Sequence, residues 1–166
     1  MNRNKGRHSA WAGSIVVVLL AGTPLQAHHS FAPFDQSRTK VFTGVVTRVN
    51  PDANHLQIYF APMNAERKNV ERDAKGEALI WEVELAGSAA AAAEGVTVDS
   101  FPPGTVFSTG LHPMRNGDPK GLREGPLFKC PKGANGKAQP PQPGKHCDSV
   151  AGSITIGQGK LATPND

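Results

Sequence analysis

VFTGVVTRV, residues 41–49, is the stretch on which the fold turns. Val41, Val45 and Val49 fall on one face and Arg48 on the other, which is the alternation of a strand. Gly44 in its middle marks a bend, of the kind a small sheet needs in order to curl into a barrel. Asn50-Pro51-Asp52-Ala53-Asn54 follows as a turn cluster, and HLQIYF, residues 55–60, supplies a second strand. Leu56, Ile58 and Phe60 share its apolar face, with His55, Gln57 and Tyr59 opposite.

Residues 63–77 are charged and weakly periodic, a solvated hairpin loop. Residues 78–85 alternate again, with Leu79, Trp81, Val83 and Leu85 inward and Glu82 and Glu84 outward. Ser88, five alanines, Glu94 and Gly95 then combine an N-cap, strong helix formers and a terminating glycine. Pro102-Pro103-Gly104 turns the chain into a fourth strand, residues 105–111. Residues 112–148 are rich in Gly, Pro and Lys and read as one long loop, a length usually functional or disordered. Ile154 and Ile156 mark a fifth strand within 152–157, and 161–166 reads as a flexible tail.

Three strands, one short helix and two strands form the order of an OB-like five-stranded barrel, so the expected class is all-β, with the domain over 41–160. A small sandwich is the competing architecture.

Working back from residue 41, residues 28–40 have no sustained period and form an extended arm that Phe31 and Phe34 can pin to a surface. Ahead of it, Arg3, Lys5 and Arg7 precede the apolar run SIVVVLLAG, too short to span a bilayer with ease and typical of a removable export signal over 1–27. The alternative is an uncleaved anchor. Cleavage after Ala27 removes three of the 18 basic residues and none of the 14 acidic ones, leaving a net charge of +1. Near-neutral charge and few aromatics argue against nucleic acid as a partner. The implied location is periplasmic or secreted, with no stable membrane anchor after cleavage. There oxidation is permitted, and Cys130 and Cys147 are expected to form a structural disulfide worth about 3 kcal/mol in the chain-entropy model. A redox pair, or a thiolate site with His146, is the other reading.

HHSFAPFD, GVVTRVNP, WEVEL and GLHPMRNG, in that order, resemble the bacterial exported family called domain of unknown function 6152. That family places a His directly after an Asn-Pro pair, whereas Asp52, Ala53 and Asn54 intervene here before His55. The resemblance implies no reaction.

Function is therefore read from the histidines. A mature chain beginning at His28 carries two imidazoles and a free α-amine on two residues, a donor set suited to Cu(II) or Zn(II). In an OB barrel the loops between strands one and two and between strands four and five meet at the ligand-binding rim. His55 follows the first and His112 opens the second, and a 13-residue arm can extend about 40 Å. The metal reading is thus His28, His29, His55 and His112; the plain reading is a solvated tail, a strand surface and a turn cap. No catalytic set stands out. GSITIGQGK lacks phosphate-loop spacing, and Glu82 and Glu84 need no chemistry to explain them on a solvated strand. The expected function is an exported soluble binding protein, with a non-metal periplasmic interaction module for a protein or small organic ligand as the alternative. An accessory subunit or enzyme has the least support.

Overall fold

Alternating apolar residues force a strand to choose a face, and in the computed structural model, which describes residues 31–51 and 54–165, they choose the inside of a barrel. The expected export signal and the candidate ligands His28 and His29 lie outside the described residues. The elements are β1 (Lys40–Pro51), β2 (Leu56–Pro62), β3 (Trp81–Glu84), α1 (Ser88–Ala93), β4 (Val106–Pro113), β5 (Lys120–Lys129), one 3₁₀ turn (Cys147–Ser149) and β6 (Ile154–Ile156). Strand order is β3-β2-β1-β4-β5, and β3 pairs in parallel with β5 to close five strands into a barrel. β6 is an extra strand laid antiparallel on β5.

β1 carries both neighbours. Gly44 sits opposite Pro62 of β2 and Phe107 of β4, where a Cβ would collide with the Phe60 ring and crowd the Ala61 carbonyl. The expected bend is therefore a close approach between strands. The three valines do not share one face. A register shift between Val46 and Arg48 reverses the phase of β1, so Val46 and Val49 join the barrel core with Phe42 while Val45 packs in a separate cluster outside it.

In β2, Leu56, Ile58 and Phe60 are buried as expected. β3 is shorter than expected: Val83 and Leu85 are buried, but Leu79 is exposed because the chain before Trp81 belongs to the 63–80 hairpin. α1 begins with Ser88 inside the helix; Gly87 is the N-cap and makes no side-chain cap. Ala91, Val96 and Phe101 from α1 and its exit are buried in the barrel core.

The fifth barrel strand lies elsewhere than the alternation suggested. KGLREGPLFK, within the expected 112–148 loop, is β5, and the strand expected near 152–157 is the added β6. Glycines and Pro126 hide the apolar alternation of β5. Gly121 takes its place because a Cβ there would collide with Leu111 and crowd the His112 carbonyl at the barrel seam. The remainder of that loop folds over a second apolar cluster of Met63, Val106, Phe128, Cys130 and Cys147. Cys130 and Cys147 are disulfide-bonded, with Cα atoms 5.0 Å apart. The expected flexible tail is tied down: Leu161 packs on this second cluster, and Asn165 accepts from the Thr39 N–H (2.5 Å) and donates from its own N–H to the Thr39 carbonyl (3.1 Å). Among the described residues no helix is long and apolar enough to cross a membrane.

Candidate functional site

Pairing across the barrel seam aligns Gln57, Glu84, Leu122 and His112 in one row over β2, β3, β5 and β4. Their neighbours one residue along, Ile58 and Val83, are buried, so this row faces outward. His112 is thus a wall residue of β4 and not the opening of a loop. β4 runs on to Pro113 because the N-terminal arm binds its end: the Asp35 N–H donates to the Pro113 carbonyl (2.8 Å) and the Arg115 N–H to the Pro33 carbonyl (2.9 Å). Phe34 is buried by this docking, while Phe31 remains 54% exposed.

The two candidate ligands among the described residues, His55 and His112, are both held through Nδ1. His112 Nδ1 donates to the Arg38 carbonyl at 2.9 Å, with Glu124 Oε2 at 3.7 Å. His55 Nδ1 lies 3.3 Å from the Leu85 carbonyl and 3.2 Å from Glu84 Oε1. Acceptors at Nδ1 fix the tautomer in which Nε2 carries the lone pair of the neutral ring, as second-shell partners do for ligating imidazoles. His55 lines a depression of about 350 Å³ with Phe34, Leu85 and Leu122, and His112 lines a neighbouring one. The two share Phe31, Leu122 and Arg123. Buried Glu124 Oε2 receives no hydrogen bond. Among the described residues no group of three or more His, Cys, Asp or Glu is placed to hold a metal ion. The fold thus brings His55 and His112 to adjoining surfaces beside the arm.

Glu82 and Glu84 face outward but are not solvated. Each side chain is 13% exposed, and the Lys120 ammonium lies between them, 2.9 Å from Glu82 and 2.8 Å from Glu84. No hydrogen bond reaches Glu82 Oε1, so that contact is an ion pair without directed geometry. Burial works against the Lys120 charge, but the Glu84 and Glu82 carboxylates outweigh it and raise its pKa. The trio bridges the parallel β3–β5 seam.

His146 is also structural. Cys147 N–H donates to Ser108 Oγ (2.9 Å), Ser108 meets Thr43 Oγ1 (2.7 Å), and Thr43 meets His146 Nδ1 (2.8 Å). With Nδ1 unprotonated, Ser108 donates to Thr43 and Thr43 to His146, so each hydroxyl donates once. Ser108 is fully buried, which keeps any substrate from its hydroxyl.

The family model described as a family of unknown function, DUF6152, matches residues 16–123. The chain belongs to this family. The match ends inside β5, so the disulfide loop and β6 of this DUF6152 member lie beyond it. No curated protein and no solved structure matches the chain.

One feature beside a cavity is not legible in the sequence. Arg67, in a stretch read as a solvated loop, adopts φ 56° and is partly buried beside a large cavity. Nothing in its neighbours' identity signals that conformation, since non-glycine residues seldom adopt it.

Proposed function

We propose that this protein is an exported binding protein that takes Cu(II), with Zn(II) as competitor, where its N-terminal arm meets the outer wall of the barrel. The observation that carries the reading is the place of Phe31, shared by the depressions of His55 and His112. His29 is two residues before Phe31, a reach of at most about 7 Å. After cleavage following Ala27, His28 contributes an amine and an imidazole, and His29 a second imidazole. His112, with Glu124 beside it, and His55 complete a nitrogen-rich set suited to copper. The disulfide supports an oxidising location, periplasmic or secreted, and the basic and apolar N-terminal pattern supports export by a removable signal.

A second reading rests on the exposed Phe31 and the apolar lining it shares with Phe34, Leu85 and Leu122: a small organic ligand or a periplasmic protein seated there without metal. Nucleic acid is not the partner in either reading, because the oligonucleotide-binding face of such barrels would here present Glu82 and Glu84.

The test titrates Cu(II) and Zn(II) into four proteins: the chain beginning at His28, the same chain with one extra N-terminal residue, His28→Ala and His112→Ala. The metal reading expects the extended and His28→Ala forms to bind at least tenfold more weakly, with His112→Ala also weakened. Equal affinity in all four removes the metal site and leaves the second reading. Loss confined to the two N-terminal changes keeps a tail site and rejects its closure onto the barrel.

A further inference from the structure

At the other end of β2 and β5 from His55 and Leu122 lies a cavity of about 560 Å³, within the usual size of small-molecule sites. Its floor is apolar, built from Val45, Met63, Val106 and Ala138 of the second cluster. Its walls carry Arg67, Lys68, Lys129, Lys132 and Lys137 against a single carboxylate, Asp99. Among the described residues none of these five cations is ion-paired, whereas Lys120, Arg115 and Arg123 elsewhere each have a carboxylate partner. A concave site lined by one sign of charge concentrates the opposite sign.

Two of the cations are fixed in place. Arg67 Nε donates to the Lys145 carbonyl (2.9 Å), and Nη1 donates to the Met63 and Asn64 carbonyls (both 3.1 Å). These bonds join the 63–80 hairpin to the disulfide loop and hold Arg67 in a left-handed conformation that costs energy for a non-glycine residue. Lys129 Nζ donates to the Ser100 carbonyl (2.8 Å) and lies 5.5 Å from the centre of the Phe101 ring. Carbonyl partners orient a cation without neutralising it, so the field of both remains available to a ligand.

We infer that this cavity binds a small organic anion: an apolar body on the Val45, Met63 and Val106 floor and one anionic head held by Arg67 and the surrounding lysines. The site is separate from the histidine patch, and its ligand needs no metal.

The test is calorimetric titration of the full mature chain with 2-naphthoate, with the uncharged 2-naphthalenemethanol and inorganic sulfate as controls. Naphthoate is expected to bind at least tenfold more tightly than either control and to weaken as salt rises. Arg67→Gly, which suits the positive φ, should lower its affinity about tenfold. Lys68→Gln with Lys132→Gln, both at exposed positions and so neutral to folding, should lower it severalfold. Equal binding of the uncharged analogue, or unchanged affinity in both variants, would overturn the assignment.

Discussion

Gly44 and His146 show how much rests on single atoms. Adding one methyl at Gly44 drives it into the Phe60 ring and the Ala61 carbonyl, at the point where β1 holds two neighbours at once. Gly44→Ala is expected to destabilise by about 1 to 3 kcal/mol, the usual cost of overpacking. Urea unfolding gives the value, and an unchanged midpoint would show that β1 can move aside. His146 is held below its ordinary pKa by burial first and by the Arg67 charge second, with Asp148 opposing. The unfolded chain therefore binds its proton at higher pH than the native one. Its contribution to stability is full above about pH 6.5 and is lost as pH falls through the lower native value. The melting temperature should drop across that window in the parent, and His146→Gln should flatten that part of the curve. A parallel decline in both proteins would reject the assignment to His146.

At the scale of elements, the barrel is closed by the short parallel pairing of β3 with β5, and Lys120 is its electrostatic clasp. Lys120→Met removes the cation from two carboxylates that are largely buried, leaving like charges together. The expected loss is about 1 to 3 kcal/mol, below the cost for a fully buried pair because Lys120 keeps some solvent contact. Adding Glu82→Gln and Glu84→Gln to Lys120→Met should recover much of it. Chemical denaturation of the parent, the single and the triple variant measures this, and no recovery would mean that the lysine stem matters more than its charge. Arg123 adds a second tie, its Nη1 meeting Glu94 Oε2 at 2.6 Å beyond the end of α1.

At the scale of the molecule there are two cores, one inside the barrel and one beneath the disulfide loop. They are joined by β1, β4 and β5, which contribute to both. Cys130→Ser with Cys147→Ser should cost about 3 kcal/mol on the chain-entropy estimate. Amide exchange should rise first in the loop between the two cysteines, while β1, β2 and β4 stay protected until global unfolding. Uniform acceleration across all strands would instead mean that the two cores unfold as one unit.

The sequence by itself determined the elements whose signal is local. Leu56, Ile58 and Phe60 alternate without interruption and bury as read, the alanine run makes the short helix, and the first four strands with that helix after the third indicate an all-β barrel. The family was legible too, because its motifs are linear. Tertiary structure alone decided what depends on partners distant in sequence. β5 carries glycines and a proline that mask its alternation, and it is a strand because β3 and β4 offer it hydrogen bonds on both edges. Val45 and Val49 diverge because a bulge in β1 answers to the register of β2. His55 and His112 adjoin only through the β3–β5 seam, and Arg67 faces a cavity only because a loop some 80 residues onward supplies the Lys145 carbonyl. Periodicity records which face a residue prefers; which neighbour it meets is set by closure of the sheet, a long-range condition that no local stretch contains.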